Sequence, residues 1–260
     1  MIRIKKVLIV LLLNIFLTSM ICFAQEVSVP ILMYHNINDN YDISNKSNEM
    51  STSEFEDQLK TLKNNNYNTI SFYEYLEYRN GNTELPENPI IITFDDGYLN
   101  NYTIAFPLLK KYNMKATIFV ITGRVNLNDS VLYPHFNWEQ AKEMQDSGII
   151  DIESHTNYHN MLNKISDASL TYELRKSRYL IKKHLGKDAQ IIAYPYGFYN
   201  EKVIDFAVGA GYKSAVIISQ DEYPGVNYED AHVYKLKRIT AAGGVSGSEL
   251  LEIIEKNKRI

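Results

Sequence analysis

Short, nearly continuous apolar runs alternate along this chain with longer stretches in which apolar residues recur at helical spacing. The run from Val29 to Tyr34 predicts a buried strand that ends on His35. A polar loop rich in Asn and Ser, residues 36–51, follows. Beyond it Phe55, Leu59 and Leu62 share one helical face, with Ser51 or Ser53 placed to cap and Glu54 and Glu56 in the first turn. "NTISF" predicts a short strand, "YEYLEYRNG" a short helix closed by Gly81, and "IIITFDD" the next strand. Residues 102–112, 138–147, 169–185 and 201–210 predict helices, and "KATIFVI", "IIDIESH", "AQIIAYPYG" and "KSAVII" predict strands among them. "YKLKRIT" supplies a last strand before a helix at 247–256.

Strands that alternate with helices imply parallel βαβ units, hence an α/β fold. About seven or eight such units suit a closed or nearly closed barrel. No internal repeat, linker or low-complexity tract divides the chain, so residues 25–260 are read as one domain.

The beginning follows different rules. Arg3, Lys5 and Lys6 precede the apolar stretch "VLIVLLLNIFLTSMICFA", which ends in "CFA" before Gln25. That pattern is a secretory signal peptide, residues 1–24, cut near Ala24. Two other readings stay open: a retained membrane anchor, since the run is long enough to span a bilayer, and a lipidated Cys22. Cleavage removes Arg3, Lys5 and Lys6, which takes the net charge from -4 to -7, and it removes the only cysteine. The mature protein then has no thiol, so any metal must be held by His, Asp or Glu. The acidic charge speaks against nucleic acid as a partner. The 20 tyrosines suit a sugar-binding cleft but equally suit ordinary half-buried positions.

Polar residues gather where the predicted strands end: His35, Asp95, Asp96, His155, Pro195-Tyr196-Gly197 and Arg238. In a βα barrel the C-terminal strand ends are where chemistry sits. Asp95 and Asp96 adjoin at a turn that Gly97 sharpens, so one carboxylate can hold a metal while the other faces a water. An acidic loop or a helix N-cap is the plainer reading of that pair. His155 and His159 are four apart, and if the chain coils there both imidazoles reach one metal. With a carboxylate they would form a two-His, one-acid set suited to Zn²⁺ or a similar divalent ion. A backbone N–H in "YPYG" is placed to donate to an oxyanion.

"TFDDGY", "SHTNYH" and "YPYG", in this order, resemble the polysaccharide deacetylase family, carbohydrate esterase family 4, also called the NodB homology domain. "VPILMYHNI" and "YKLKRI" are most similar to the branch that acts on exopolysaccharides of the poly-N-acetylglucosamine type. The resemblance implies a distorted (β/α)7-type barrel. It makes Asp95 the general base, Asp96, His155 and His159 the metal ligands, and the Tyr196 N–H an oxyanion donor. The implied reaction is hydrolysis of N-acetyl groups on a β-linked amino sugar, with an acetylated polysaccharide as partner; the leader points to an extracytoplasmic location, and a monomer is expected.

Two positions depart from the family pattern. Many members carry an Arg where this chain has Ala193, and Arg238 is expected to supply the guanidinium instead. Many also carry a late Leu-x-His acid that is missing here, and His35 is expected to take that role; the alternative is a buried structural histidine. His135, His184 and His232 match no motif and read as surface or structural. Trp138 lines a sugar cleft or packs in the core. Peptidoglycan, chitin oligomers and acetylxylan remain rival substrates, and a non-catalytic glycan-binding protein is the rival from another class.

Overall fold

The computed structural model describes residues 27–41, 43–126, 133–218, 226–228 and 230–258. The leader expected at residues 1–24 lies outside them. The strands are β1 (Val29–Tyr34), β2 (Asn36–Ile37), β3 (Glu49–Met50), β4 (Asn68–Thr69), β5 (Pro89–Phe94), β6 (Ala116–Val120), β7 (Ile150–Ser154), β8 (Ile191–Ala193), β9 (Ser214–Val216), β10 (Val226–Asn227) and β11 (Ile239–Thr240). The helices are α1 (Thr52–Asn64), α2 (Phe72–Arg79), α3 (Phe106–Tyr112), α4 (Trp138–Asp146), α5 (Asp167–Leu185), α6 (Glu201–Ala210) and α7 (Gly247–Asn257).

The sheet runs β11-β1-β5-β6-β7-β8-β9, with every neighbouring pair parallel. It curls until its edges nearly meet. Leu236 bridges to Val216 at the far edge, and three residues on Ile239 pairs with Leu32 of β1. The last predicted strand therefore acts as the seam of a distorted barrel.

Alternation along the strands sorts side chains into two cores. Leu32, Ile92, Phe94, Ile118, Val120 and Ile152 pack outward under the helices, while Ile31, Ile91, Phe119, Ile191, Ala193 and Val216 fill the barrel itself. Phe72 and Tyr75 of α2 join that inner cluster. Helix α2 thus plugs the N-terminal end of the barrel, and the C-terminal end is left open.

Local chemistry sets the element ends. Ser51, Ser71, Asn137 and Ser246 each accept from the backbone N–H three residues on, while the Glu or Gln there accepts from the cap's own N–H. The Ser71 cap explains why the "NTISF" strand stops at Thr69 and the helix starts one residue early, at Phe72. The helix expected over 102–112 is α-helical only from Phe106; Asn101–Ala105 forms a π turn. Pro107 carries no N–H to donate, and the ladder widens just ahead of it. The expected loop 36–51 contains the small parallel pair β2–β3.

Candidate active site

His35 follows β1, Asp95 and Asp96 follow β5, His155 and His159 follow β7, and Tyr196 sits in the turn after β8. All six line one cavity of about 350 Å³ at the open end of the barrel. Arg238, just before β11, lies beneath that cavity with a fully buried side chain. Asp95 and His155 continue the inward-facing rows of their strands, which is why residues far apart in sequence converge.

Asp96, His155 and His159 bring one ligand atom each to within 4.8 Å of one another. The two Nε2 atoms are 3.0 Å apart, and Asp96 Oδ1 is 3.7 Å from His155 Nε2 and 3.8 Å from His159 Nε2. His155 Nδ1 donates to the Ala193 carbonyl at 2.8 Å, which turns Nε2 toward His159 and Asp96. Tyr98 Oη donates to Asp96 Oδ2 at 2.7 Å and leaves Oδ1 facing the histidines. Burial, followed by the adjacent His155, pushes the His159 pKa down to about 4, so this ring is neutral at neutral pH. Burial would raise the Asp96 carboxyl, but the surrounding histidines hold it below its ordinary value. Two imidazole nitrogens and one carboxylate oxygen in this arrangement fit a divalent ion of the Zn²⁺ type. The two rings meet without a helical coil: His155–His159 is a loop in which Thr156 and His159 take φ of 66° and 62°.

Asp95 is gripped from below. Arg238 donates through Nη1 to Oδ1 and through Nη2 to Oδ2, each at 2.7 Å, a bidentate pair inside the barrel. Burial alone would raise the Asp95 pKa; the guanidinium, with His155 beside it, overrides that and holds the carboxyl well below its usual range. His35 Nε2 and His155 Nε2 lie 3.9 and 3.8 Å from Asp95 Oδ2. His35 Nδ1 is buried without a partner among the described residues, and Asn101 Nδ2 holds the His35 carbonyl at 2.8 Å. Burial pushes the His35 pKa down.

Backbone strain concentrates here. Eight described non-glycine residues have positive φ; four are asparagines, and the others are Asp96, Thr156, His159 and Tyr196. A β-branched residue such as Thr156 in that region persists only where its surroundings over-determine it. At the Tyr196 turn, Gly197 N–H donates to Tyr194 and Phe198 N–H to Pro195, so the Tyr196 N–H serves in neither bond.

The remaining wall of the cavity was not legible from sequence: Asn36, Asn45, Asn48 and Glu49, around the β2–β3 pair, face the site. Two-residue strands carry no periodicity that could have revealed it. Of the histidines outside the motifs, His135 is buried with its ring 5.3 Å from that of Tyr98, and His232 is exposed. Trp138 stacks on His184 at 4.5 Å, outside this cavity.

The family model described as polysaccharide deacetylase matches residues 82–215. The Bacillus subtilis (strain 168) protein YxkH, which bears the same family name, is 37% identical over 230 residues, covering 88% of this chain and 77% of its own. The poly-beta-1,6-N-acetyl-D-glucosamine N-deacetylase of Staphylococcus aureus is 34% identical over 176 residues, 65% of this chain and 60% of that enzyme. Among solved structures, the Streptococcus pyogenes deacetylase PplD in complex with acetate superposes with a TM-score of 0.78 at 29% identity, covering 88% of this chain and 99% of that one. The chain belongs to the polysaccharide deacetylase family and is a hydrolase acting on acetylated polysaccharide.

Proposed function

We propose that this enzyme removes N-acetyl groups from a β-linked N-acetylglucosamine polymer of the poly-N-acetylglucosamine type, outside the cytoplasm, with a divalent ion, Zn²⁺ in the first instance, held by Asp96, His155 and His159. The observation that carries this reading is the Asp95–Arg238 pair, bidentate at 2.7 Å, set directly beside those three residues in an open cavity. The staphylococcal relative supports the choice of polymer. The basic and apolar leader supports the location.

An ion in that set would acidify a water and polarise the acetamide carbonyl. The chain's own groups supply the rest. Asp95 accepts the proton of the attacking water; Arg238 fixes both of its oxygens and keeps it ionised between turnovers. Tyr196 N–H donates to the developing oxyanion. His35, neutral at rest because burial lowers its pKa, receives the proton from Asp95 and delivers it to the departing amine as the C–N bond breaks. Acetate and a free amine leave.

Acetate release from oligomers of poly-β-1,6-N-acetylglucosamine, chitin, peptidoglycan and acetylxylan, with and without chelator, tests this. The expected outcome is fastest release from the first polymer, loss of release with chelator and recovery with Zn²⁺. Release that ignores the chelator, or that is confined to acetylxylan, overturns it.

A further inference from the structure

The loop that carries both histidines is tied to helix α5 by one buried acid. Glu173, only 2% exposed, accepts the backbone N–H of Asn157 and of Tyr158 on Oε2, each at 2.8 Å, and the Asn160 side-chain amide on Oε1 at 2.7 Å. These three donors lie between or beside His155 and His159. From the opposite side, Thr122 Oγ1 donates to Asn157 Oδ1 at 3.0 Å and Gly123 N–H to the Asn157 carbonyl at 2.8 Å. A Cβ on Gly123 would come within 2.6 Å of that carbonyl, so the loop is clamped at close range. Within it, Thr156 and His159 hold left-handed backbone that L residues adopt at a cost of about 1–3 kcal/mol each.

Resting on the metal-site reading above, we propose that Glu173 is a positioning residue of the metal centre: it holds the strained loop so that His155 and His159 present Nε2 to the same point as Asp96. A carboxylate suits the task because it offers only acceptors, and all three neighbours are donors. Without it, the Asn157 and Tyr158 backbone N–H groups lose their partner, and the loop relaxes toward ordinary φ values that rotate His159 away from His155. Outer partners that orient ligands in this manner contribute about ten- to a hundredfold to metal affinity.

The test is a Zn²⁺ titration of the full-length protein against a chromogenic chelator, in parallel with thermal unfolding of the metal-free form. Glu173→Ala is expected to weaken Zn²⁺ binding about ten- to a hundredfold in the folded protein. Glu173→Gln keeps an oxygen for the two loop N–H groups, and the exposed Asn160 can turn its amide to meet the new one. It is expected to stay within about threefold of wild type. A folded Glu173→Ala protein with wild-type affinity overturns the proposal and leaves the residue a purely structural anchor. If Glu173→Ala does not fold, Glu173→Asp, one methylene shorter, is titrated instead: weakened binding supports the proposal and unchanged binding overturns it. Asp96→Ala separates the two readings. Zn²⁺ binding insensitive to Asp96→Ala overturns the site itself, whereas binding lost in Asp96→Ala but kept in Glu173→Ala overturns only the part given to Glu173.

Discussion

Asp95 and Glu153 both face the inside of the same barrel and both are shut away from water, at 1% and 0% exposure. Burial pushes both carboxyls up, yet their pKa values end on opposite sides of normal. At Asp95 a rigid guanidinium meets both oxygens, and His155 stands close by, so the ionised form wins. At Glu153 the cation is Lys187 alone, 2.9 Å from one oxygen, helped by Tyr73 Oη at 2.7 Å and the Gln190 and Ile191 N–H groups at 2.9 and 2.8 Å. Those partners satisfy the carboxyl without reversing the effect of burial. The surroundings differ too. Asp95 opens onto a cavity and adjoins a residue with left-handed backbone, whereas Glu153 is roofed by the plug helix and the β7–β8 edge. A buried carboxyl is therefore no mark of function in itself; what sets Asp95 apart is a charge held ionised at an open, strained rim.

The largest expected effect separates the two acids by activity. Asp95→Asn is expected to slow acetate release by about 10²–10⁴-fold, while Glu153→Gln stays within about threefold of wild type. Equal losses in both would erase the distinction. Next comes stability. Arg238→Met strands Asp95 as an unpaired buried charge and is expected to cost about 3–5 kcal/mol in urea unfolding of the metal-free protein. Lys187→Met is expected to cost no more than about 1–2 kcal/mol, because Glu153 can take up a proton instead.

The smallest effect is in the pH dependence of stability. Asp95 has a lowered folded pKa, so its contribution is present above the ordinary carboxyl value of about 4 and is lost as pH falls below it. Glu153 has a raised folded pKa, so its contribution is greatest at acid pH and is lost as pH rises through that raised value. Urea midpoints from about pH 3 to pH 8 should rise less steeply from the acid side in Asp95→Asn and fall less steeply toward neutral pH in Glu153→Gln. Two variants that bend the curve in the same direction would contradict the opposite shifts.

The chemistry-bearing ends of strands were legible because a buried apolar run that stops on Asp-Asp-Gly or Ser-His conflicts with simple core patterning, and such conflict is informative. The barrel was legible from strand–helix alternation. What stayed hidden was held by tertiary contact. The His155–His159 spacing fits a helix as well as a loop, and only packing against Gly123 and Glu173 decides for the loop. Glu173 did leave a trace: it falls in the stripe Leu170, Leu174, Ser177, Ile181 that α5 turns to the core, where an acid needs a reason. Arg238 stood out as a polar residue at a predicted strand end, but its pairing with Asp95 was expected only because Ala193 has no guanidinium, since nothing in "YKLKRI" marks its register across the seam.

That seam has a bearing on when the enzyme becomes competent. Asp95 and Arg238 are separated by 143 positions, and the arginine arrives on the segment that stitches the sheet's first edge to its last. A barrel still open at that join has an acid with no counterion and no floor beneath its pocket. On the mechanism proposed above, the pocket is complete only when this final strand is home.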